Sequence, residues 1–212
     1  MPISLILQQP VVGVAWIAAI LVALSIHECA HAATSYVLGD HTAQQAGRLT
    51  LRPFAHVDPM GFFMLLLVGF GWGKPVPFDP QQLHNRRWGP ALVALAGPAS
   101  NLLGAIASAF VLFVIDRFTG LLANNLLVLF VAFSFQLHIV LMLFNLIPIP
   151  PLDGSKLLFS IMDHSKYDGA RFFLQTRGPL ILIGLIVVDS MLGGVIIGRA
   201  LSATTQWFVG FF

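Results

Sequence analysis

The stretch VVGVAWIAAILVALSIHECAHAATSYVL, residues 11–38, decides how this chain folds. It is almost entirely apolar, and a helix needs about 20 such residues to cross the hydrocarbon core of a bilayer. Ionisable side chains interrupt it only towards its end, mainly at His27, Glu28 and His31. Because ionisable groups inside a membrane span are costly and usually functional, the stretch predicts a transmembrane helix that carries a functional site.

The composition of the whole chain is that of a membrane protein. Of its 212 residues, 57% are hydrophobic and only 9% are charged, whereas soluble domains carry about 25% charged residues. The net charge of +2 is small and the basic residues are spread over the loops, so nucleic acid is not an expected partner. Cys29 is the single cysteine, which excludes an internal disulfide.

Four further apolar runs follow, at residues 60–72, 90–115, 125–147 and 179–198. The last three are long enough to cross a bilayer. The run 60–72 is shorter, and as a helix it covers about 20 Å of a hydrocarbon core of about 30 Å. The predicted fold is an all-α polytopic helix bundle of about four transmembrane helices, with residues 60–72 as a re-entrant element.

The distribution of lysine and arginine supports four spans. If residues 60–72 do not cross, nine basic residues fall on one side of the membrane and only Arg117 and Arg199 fall on the other. If they do cross, the split weakens to seven against four. Because cytoplasmic loops are enriched in basic residues, we expect residues 39–89 and 154–178 in the cytoplasm and both termini outside.

Residues 45–52, QAGRLTLR, alternate in a strand-like way before Pro53. This pattern predicts a short β-element with an open edge near the membrane. No internal repeat is present. The chain is expected to be a single membrane-embedded domain, residues 1–212, with a core at about 11–160 and an additional C-terminal transmembrane helix at about 179–198.

Residues 27–31 have the pattern H-E-x-x-H. On a helix, His27 and His31 lie one turn apart on the same face, so both imidazoles can reach one metal ion. Glu28, the only glutamate in the chain, lies beside them and can act on water at such a metal. The alternative is a structural pair of histidines that form hydrogen bonds inside a helix bundle, with Glu28 as their partner.

A catalytic zinc site needs a third protein ligand, and Asp153 is the best candidate. Pro148, Pro150 and Pro151 cannot continue a helix, so they break the preceding span and allow the chain to unwind into the interior. Gly154 permits a tight turn after the carboxylate. The alternative is an aspartate in a surface loop, but its place on the same membrane side as the histidine pair favours a ligand.

Together these motifs resemble the site-2 protease family of intramembrane zinc metalloproteases, in its compact form without a PDZ or CBS domain. The resemblance covers about residues 15–160. Besides HECAH at 27–31 and NLIPIPPLDG at 145–154, the matching stretches are GRLTL at 47–51, HVDPMG at 56–61, GWGKPVP at 71–77 and GPASN at 97–101. The family has a core of three transmembrane helices, which corresponds here to the runs 11–38, 90–115 and 125–147.

The resemblance implies one zinc ion per chain, held by His27, His31 and Asp153, with Glu28 as the general base. It implies an endopeptidase that cuts peptide bonds within or near transmembrane segments in regulated intramembrane proteolysis. The expected partners are a transmembrane protein substrate and the lipid bilayer of the cell membrane, with the active site towards the cytoplasm. An unwound substrate is expected to add as a strand to the edge at residues 47–51.

Other polar residues carry weaker expectations. Asn101 and Asn145 are candidates to donate to a substrate carbonyl or its tetrahedral intermediate, with helix–helix hydrogen bonding as the equal alternative. His138 stands where the family often has Asn, and a polar contact within the bundle is expected. His56 and Asp58 are expected to shape a turn.

Two other functions fit parts of the pattern. An intramembrane metal transporter also lines its path with histidine and aspartate, although it would more often show repeated halves. A catalytically inactive relative would act as a membrane binding protein, and the intact Glu28 argues against that.

Overall fold

The computed structural model describes residues 6–69 and 71–193. Four long helices dominate them, and each is long and apolar enough to cross a membrane. They are α1 (Pro10–Val37), α4 (Gly89–Phe118), α5 (Leu126–Asn145) and α7 (Asp168–Met191). Shorter elements connect them: α2 (Thr42–Gln45), α3 (Pro59–Val68), α6 (Gly154–Ile161) and two 3-10 turns, Pro53–Ala55 and Ser165–Tyr167. This confirms the prediction of a mostly helical, multi-pass membrane protein.

Helices α1, α4 and α5 pack against one another and form the core. Small side chains line their contacts: Ala19 and Ala23 on α1 are fully buried, as is Ala105 on α4. On α5, Phe135 and Ile139 pack against the alanine face of α4. Because lipid is as apolar as the helix surfaces, close approach through small residues is what holds such helices together.

Helix α7 differs from the predicted span at 179–198. It begins at Asp168, and Pro179 lies inside it instead of at its start. Transmembrane helices tolerate an internal proline because neighbouring groups satisfy the freed carbonyl. Residues 194–198 lie outside the described residues.

Residues 59–68 form the ten-residue helix α3. Asp58 caps its first turn by accepting a hydrogen bond from the Gly61 N–H at 2.8 Å, as expected for a turn-shaping residue. Gly69 ends it in the left-handed conformation, with φ of 85°. The chain then folds back, so that the carbonyl of Trp72 occupies the space where a Cβ of Gly61 would lie.

The expected β-element at 45–52 does not form, so this prediction is wrong. Residue 45 ends α2, Gly47 has a φ of +69°, and the stretch continues as turns and bends. In a strand that packs on a core, the leucines of this pattern would face inward and the arginines outward. Here Arg48 is buried and Leu51 is 64% exposed. Among the described residues only an isolated antiparallel bridge forms, between Val57 and Gly73.

Arg48 explains why the strand does not form. Its Nη2 donates hydrogen bonds of 2.7 Å to the carbonyls of Lys74 and Pro75. The guanidinium therefore points inward and fastens the segment after α3. A period-two pattern in the sequence cannot show that a charged residue is the buried one.

Candidate metal centre

The histidine pair lies in the C-terminal half of α1, where its side chains face the core. His27 and His31 are 3% and 7% exposed, and their Nε2 atoms lie 3.0 Å apart. One helical turn separates the two residues, which places both rings on the same face as predicted. Two imidazole nitrogens thus converge on one point inside a membrane span.

Asp153 reaches the same point from the end of α5. That helix ends at Asn145, and the proline-rich segment leads to Asp153 immediately before α6. Gly154 is required for this return, since a Cβ there would meet the carbonyl of Leu146. Asp153 Oδ2 lies 3.2 Å from His27 Nε2 and 3.1 Å from His31 Nε2.

The three ligand atoms fit a zinc ion. Tetrahedral zinc with ligands at about 2.0–2.1 Å places neighbouring ligand atoms about 3.3 Å apart, close to the observed 3.0–3.2 Å. Asp153 Oδ2 is buried and receives no well-formed hydrogen bond within the described residues. Such a buried, unsatisfied oxygen facing two imidazole nitrogens is the arrangement that a cation completes.

The second nitrogen of each histidine also has a partner. His31 Nδ1 lies 2.7 Å from the carbonyl oxygen of Val93 on α4, so it carries the proton and leaves Nε2 free for a metal. His27 Nδ1 lies 2.8 Å from the side-chain amide of Asn101, also on α4. Helix α4 therefore orients both rings.

Gly97 provides the room for these rings. A Cβ at this position would lie 2.5 Å from His27 Cε1 and from His31 Nε2. Glycine alone lets α4 approach the histidine pair this closely. The sequence contained Gly97 in the GPASN motif, but nothing in that motif indicates which side chains it faces.

Glu28 lies between the two histidines in sequence and is half-buried. Its carboxylate interacts electrostatically with His31. The assignment of Glu28 as the general base stays a prediction.

The two asparagines differ in their surroundings, and Asn101 makes the helix–helix hydrogen bonds that were one of its two expected roles. Asn101 is 0% exposed, and its amide contacts His27 and His138, so none of its atoms is open to a substrate. Asn145 is half-buried at the end of α5, where its Nδ2 donates to the carbonyl of Leu141 at 3.0 Å. Its role towards a substrate stays a prediction. His56 binds the carbonyl of Thr50 through Nε2 at 2.8 Å and supports the turn.

Lys156 is a neighbour of the site that the sequence did not indicate. Lys156 lies in the first turn of α6, and its Nζ is 3.6 Å from Asp153 Oδ1. Burial would raise the pKa of Asp153, but without a metal the Nε2 atoms of the two imidazoles can carry protons, and these rings together with the Lys156 ammonium outweigh burial and hold the pKa below its usual range. Asp153 is therefore ionised at neutral pH, as a metal ligand must be.

Several known proteins that are similar in sequence to this chain are named as metalloproteases. The family model for peptidase family M50 matches residues 114–185, which include Asp153. "Putative zinc metalloprotease YwhC" of Bacillus subtilis is 41% identical over 142 residues, which are 66% of this chain and 65% of that protein. The chain thus spans just under two thirds of this relative. No solved structure matches the chain significantly.

Two mycobacterial proteins, both named "Putative zinc metalloprotease Rip2", extend the comparison. The protein of Mycobacterium tuberculosis is 36% identical over 65% of this chain and 53% of its own length. That of Mycolicibacterium smegmatis is 35% identical over 204 residues, which are 92% of this chain and 73% of that protein. Because this likeness runs through nearly all of the chain, the chain belongs to peptidase family M50, the site-2 protease family of membrane zinc metalloproteases.

Proposed function

We propose that the chain is an intramembrane zinc endopeptidase that hydrolyses peptide bonds within or near transmembrane segments of other membrane proteins. One observation carries the proposal: His27, His31 and Asp153 bring three ligand atoms within 3.2 Å of one another inside a helix bundle. The printed names of the relatives supply the chemical class. Regulated intramembrane proteolysis is the process that such a site would serve.

The chemistry divides between the metal and the chain. Zinc held by the three residues supplies a Lewis acid that makes water nucleophilic at neutral pH. Glu28 takes a proton from the attacking water and delivers it to the leaving amine. Asn145, at the end of α5, is the remaining candidate to donate to the substrate carbonyl.

The substrate must reach this site in an unwound form. In a helix the backbone carbonyls accept internal hydrogen bonds, so an intact transmembrane helix presents no free peptide group to the metal. The buried position of the ligands implies that a short stretch of the substrate unwinds and enters between the core helices. Hydrolysis then occurs at bilayer depth, away from soluble proteins.

The site faces the cytoplasm in this proposal. Nine of the eleven basic residues fall in segments 39–89 and 154–178 if α3 does not cross, and such an excess marks the cytoplasmic side. Two contacts support α3 as a re-entrant element. The His84 N–H donates to the carbonyl of Leu38 at 2.9 Å, and the Asp79 N–H donates to Asp40 Oδ2 at 2.8 Å. The flanks of α3 meet, as they would on one side of a membrane.

We further propose that residues 1–212 act as one membrane-embedded unit. Helices α1, α4 and α5 pack around the candidate metal site, and they fall within the catalytic core expected at about 11–160. Helix α7 contributes no ligand among the described residues, so the core contains the whole candidate centre.

The test uses purified protein and a single-pass membrane substrate. We expect the wild type to bind one zinc per chain and to cleave, and Glu28→Gln to keep zinc while cleavage falls about 10²–10⁴-fold. His31→Ala is the matched variant, which loses both zinc and cleavage. Full cleavage by Glu28→Gln would contradict the assigned base. A wild type that cleaves nothing but moves zinc across vesicles would support the transporter instead.

A further inference from the structure

Asn101 on α4 lies between two histidines on different helices. Its Nδ2 lies 2.8 Å from His27 Nδ1 on α1, and its Oδ1 lies 3.0 Å from His138 Nδ1 on α5. Asn101 is 0% exposed and His138 is 2% exposed, so water does not compete for these contacts. One hydrogen-bonded chain therefore links the three core helices and ends at a candidate zinc ligand.

Metal binding determines which atoms of this series of hydrogen bonds carry the protons. If His27 binds through Nε2, its neutral ring carries the proton on Nδ1 and needs an acceptor there. The acceptor within reach is the side-chain oxygen of Asn101, which a half-turn of the amide brings to the place where the structure has Nδ2. With Nδ2 at that place, His27 Nδ1 must offer a lone pair, so a neutral His27 carries its proton on Nε2 and cannot bind a metal through that atom. The two orientations of the Asn101 amide thus differ in whether the site can bind zinc.

His138 faces the other end of the Asn101 amide in both orientations, since its Nδ1 can donate to Oδ1 or accept from Nδ2. With Oδ1 of Asn101 turned to His27, its Nδ2 faces His138 Nδ1, which must then accept the hydrogen bond. A neutral His138 with its proton on Nε2 does so. We propose that His138 and Asn101 are positioning residues: when the site takes zinc, Asn101 turns its Oδ1 to His27 and His138 accepts from its Nδ2, which keeps the proton of His27 on Nδ1 and its Nε2 free for zinc. The proposal rests on the zinc site of the proposed function.

The surface of α4 is shaped for this arrangement. A Cβ at Gly104 would lie 2.5 Å from His138 Cε1 and Nε2, as a Cβ at Gly97 would meet the other two rings. Gly97, Asn101 and Gly104 follow one another at spacings of four and three, so they share one face of the helix. Two glycines make room for three imidazoles, and the asparagine between them connects two of these.

The zinc dissociation constant of the metal-free protein tests the proposal, measured by competition with a chromogenic chelator. Asn101→Leu removes the acceptor, so we expect the constant to rise about 10–100-fold. Asn101→Asp keeps an acceptor for the His27 Nδ1–H and should bind within a few-fold of the wild type. His138→Phe leaves the amide orientation unfixed and should weaken binding about tenfold. Ser134→Ala, one turn away on α5 with its hydroxyl bonded to the Phe130 carbonyl, is the control.

The melting temperature of each metal-free variant separates positioning from support of the fold. Asn101→Leu and His138→Phe variants that melt lower but bind zinc like the wild type would overturn the proposal. So would an Asn101→Asp variant as weak as Asn101→Leu. If the leucine variant does not fold, Asn101→Asp and His138→Phe decide. A wild type that binds no zinc would instead contradict the proposed function, so the two failures are distinguishable.

Discussion

Gly97 is the residue at which the candidate site tolerates least change. Its α-carbon faces both histidine rings, and a methyl group there would lie 2.5 Å from atoms of each. We expect Gly97→Ala to displace the rings and weaken zinc binding by about tenfold or more, as loss of a ligand's support commonly does. Chelator competition on the purified protein measures this.

Helix propensity favours the alanine variant of Gly97, which makes the test more specific. Alanine favours a helix interior over glycine by about 0.5–1 kcal/mol, so a loss cannot come from the backbone. Gly184→Ala in α7 is the matched control, since nothing lies within 4 Å of its added methyl. It should keep the zinc affinity of the wild type and melt at the same or a slightly higher temperature. Equal zinc affinity of both variants would contradict the role of Gly97.

The residues of the site differed in how far the sequence could predict them. The histidine pair, Glu28 and Asp153 were predictable because catalytic zinc accepts few ligand types and the spacing of H-E-x-x-H places both histidines on one helix face. Asn101 was predictable as a polar residue of the core but not by its partners. A hydrogen bond between residues 74 positions apart depends on how helices pack, and the sequence does not contain that geometry.

At the scale of elements, Asp40 joins three segments just after α1. Its Oδ2 accepts from the Ser35 hydroxyl at 2.7 Å and the Asp79 N–H at 2.8 Å, and its Oδ1 accepts from the Thr42 N–H and hydroxyl. Burial would raise the pKa of Asp40, but these hydrogen bonds outweigh it and hold the pKa below its ordinary value. The ionised carboxylate is therefore part of what holds α1, α2 and the segment before α4 together.

This lowered pKa predicts a pH-dependent stability. Because the folded pKa lies below the unfolded value of about 3.9, the contribution of Asp40 is complete above that value and is lost as pH falls through the folded pKa. At pH 7 we expect Asp40→Asn to lower the free energy of unfolding by about 1–3 kcal/mol. The deficit should shrink in acid. Thermal unfolding in detergent at stepwise lower pH measures it.

The control for Asp40 is Asp163→Asn, at an exposed carboxylate whose ion pairs with Arg87 and Arg171 are at the surface. Exposed pairs contribute about 0–1 kcal/mol, so its effect at pH 7 should be small. A deficit of Asp40→Asn that stays constant from neutral to acid pH would show that the loss comes from packing and not from the charge.

Elements were predictable where hydrophobic length decides them. The four long helices follow from apolar runs that only a membrane accommodates. The absence of a strand at 45–52 was not predictable, because the alternation of the sequence there suggests one. The inward turn of Arg48 depends on carbonyls 26 and 27 residues away. The start of α7 was missed for a local reason: Pro179 is typical of a helix start in water but is tolerated inside a membrane helix.

At the scale of the whole molecule, the distribution of charge predicts the orientation in the membrane. With four spans and α3 not crossing, the loop at 119–124 lies on one side of the membrane. The segments before and after α3 and the loop at 162–167 lie on the other side. Nine of the eleven basic residues lie in residues 39–89 and 154–178, which predicts that these two segments are cytoplasmic. The candidate metal site, with Asp153 at the start of α6, would then draw its water from the cytoplasm.

Single cysteines introduced into a Cys29→Ser background test this topology in intact cells with a membrane-impermeant maleimide. Suitable exposed positions are Gln44, Gln81, Ala123 and Ser165. We expect the cysteine at 123 to react from outside and the other three only after permeabilisation. Reaction of 44 and 81 from opposite sides would show that α3 crosses the membrane. Reaction of 123 and 165 from the same side would contradict α5 as a single span, whereas a full reversal would keep four spans and place the site towards the outside.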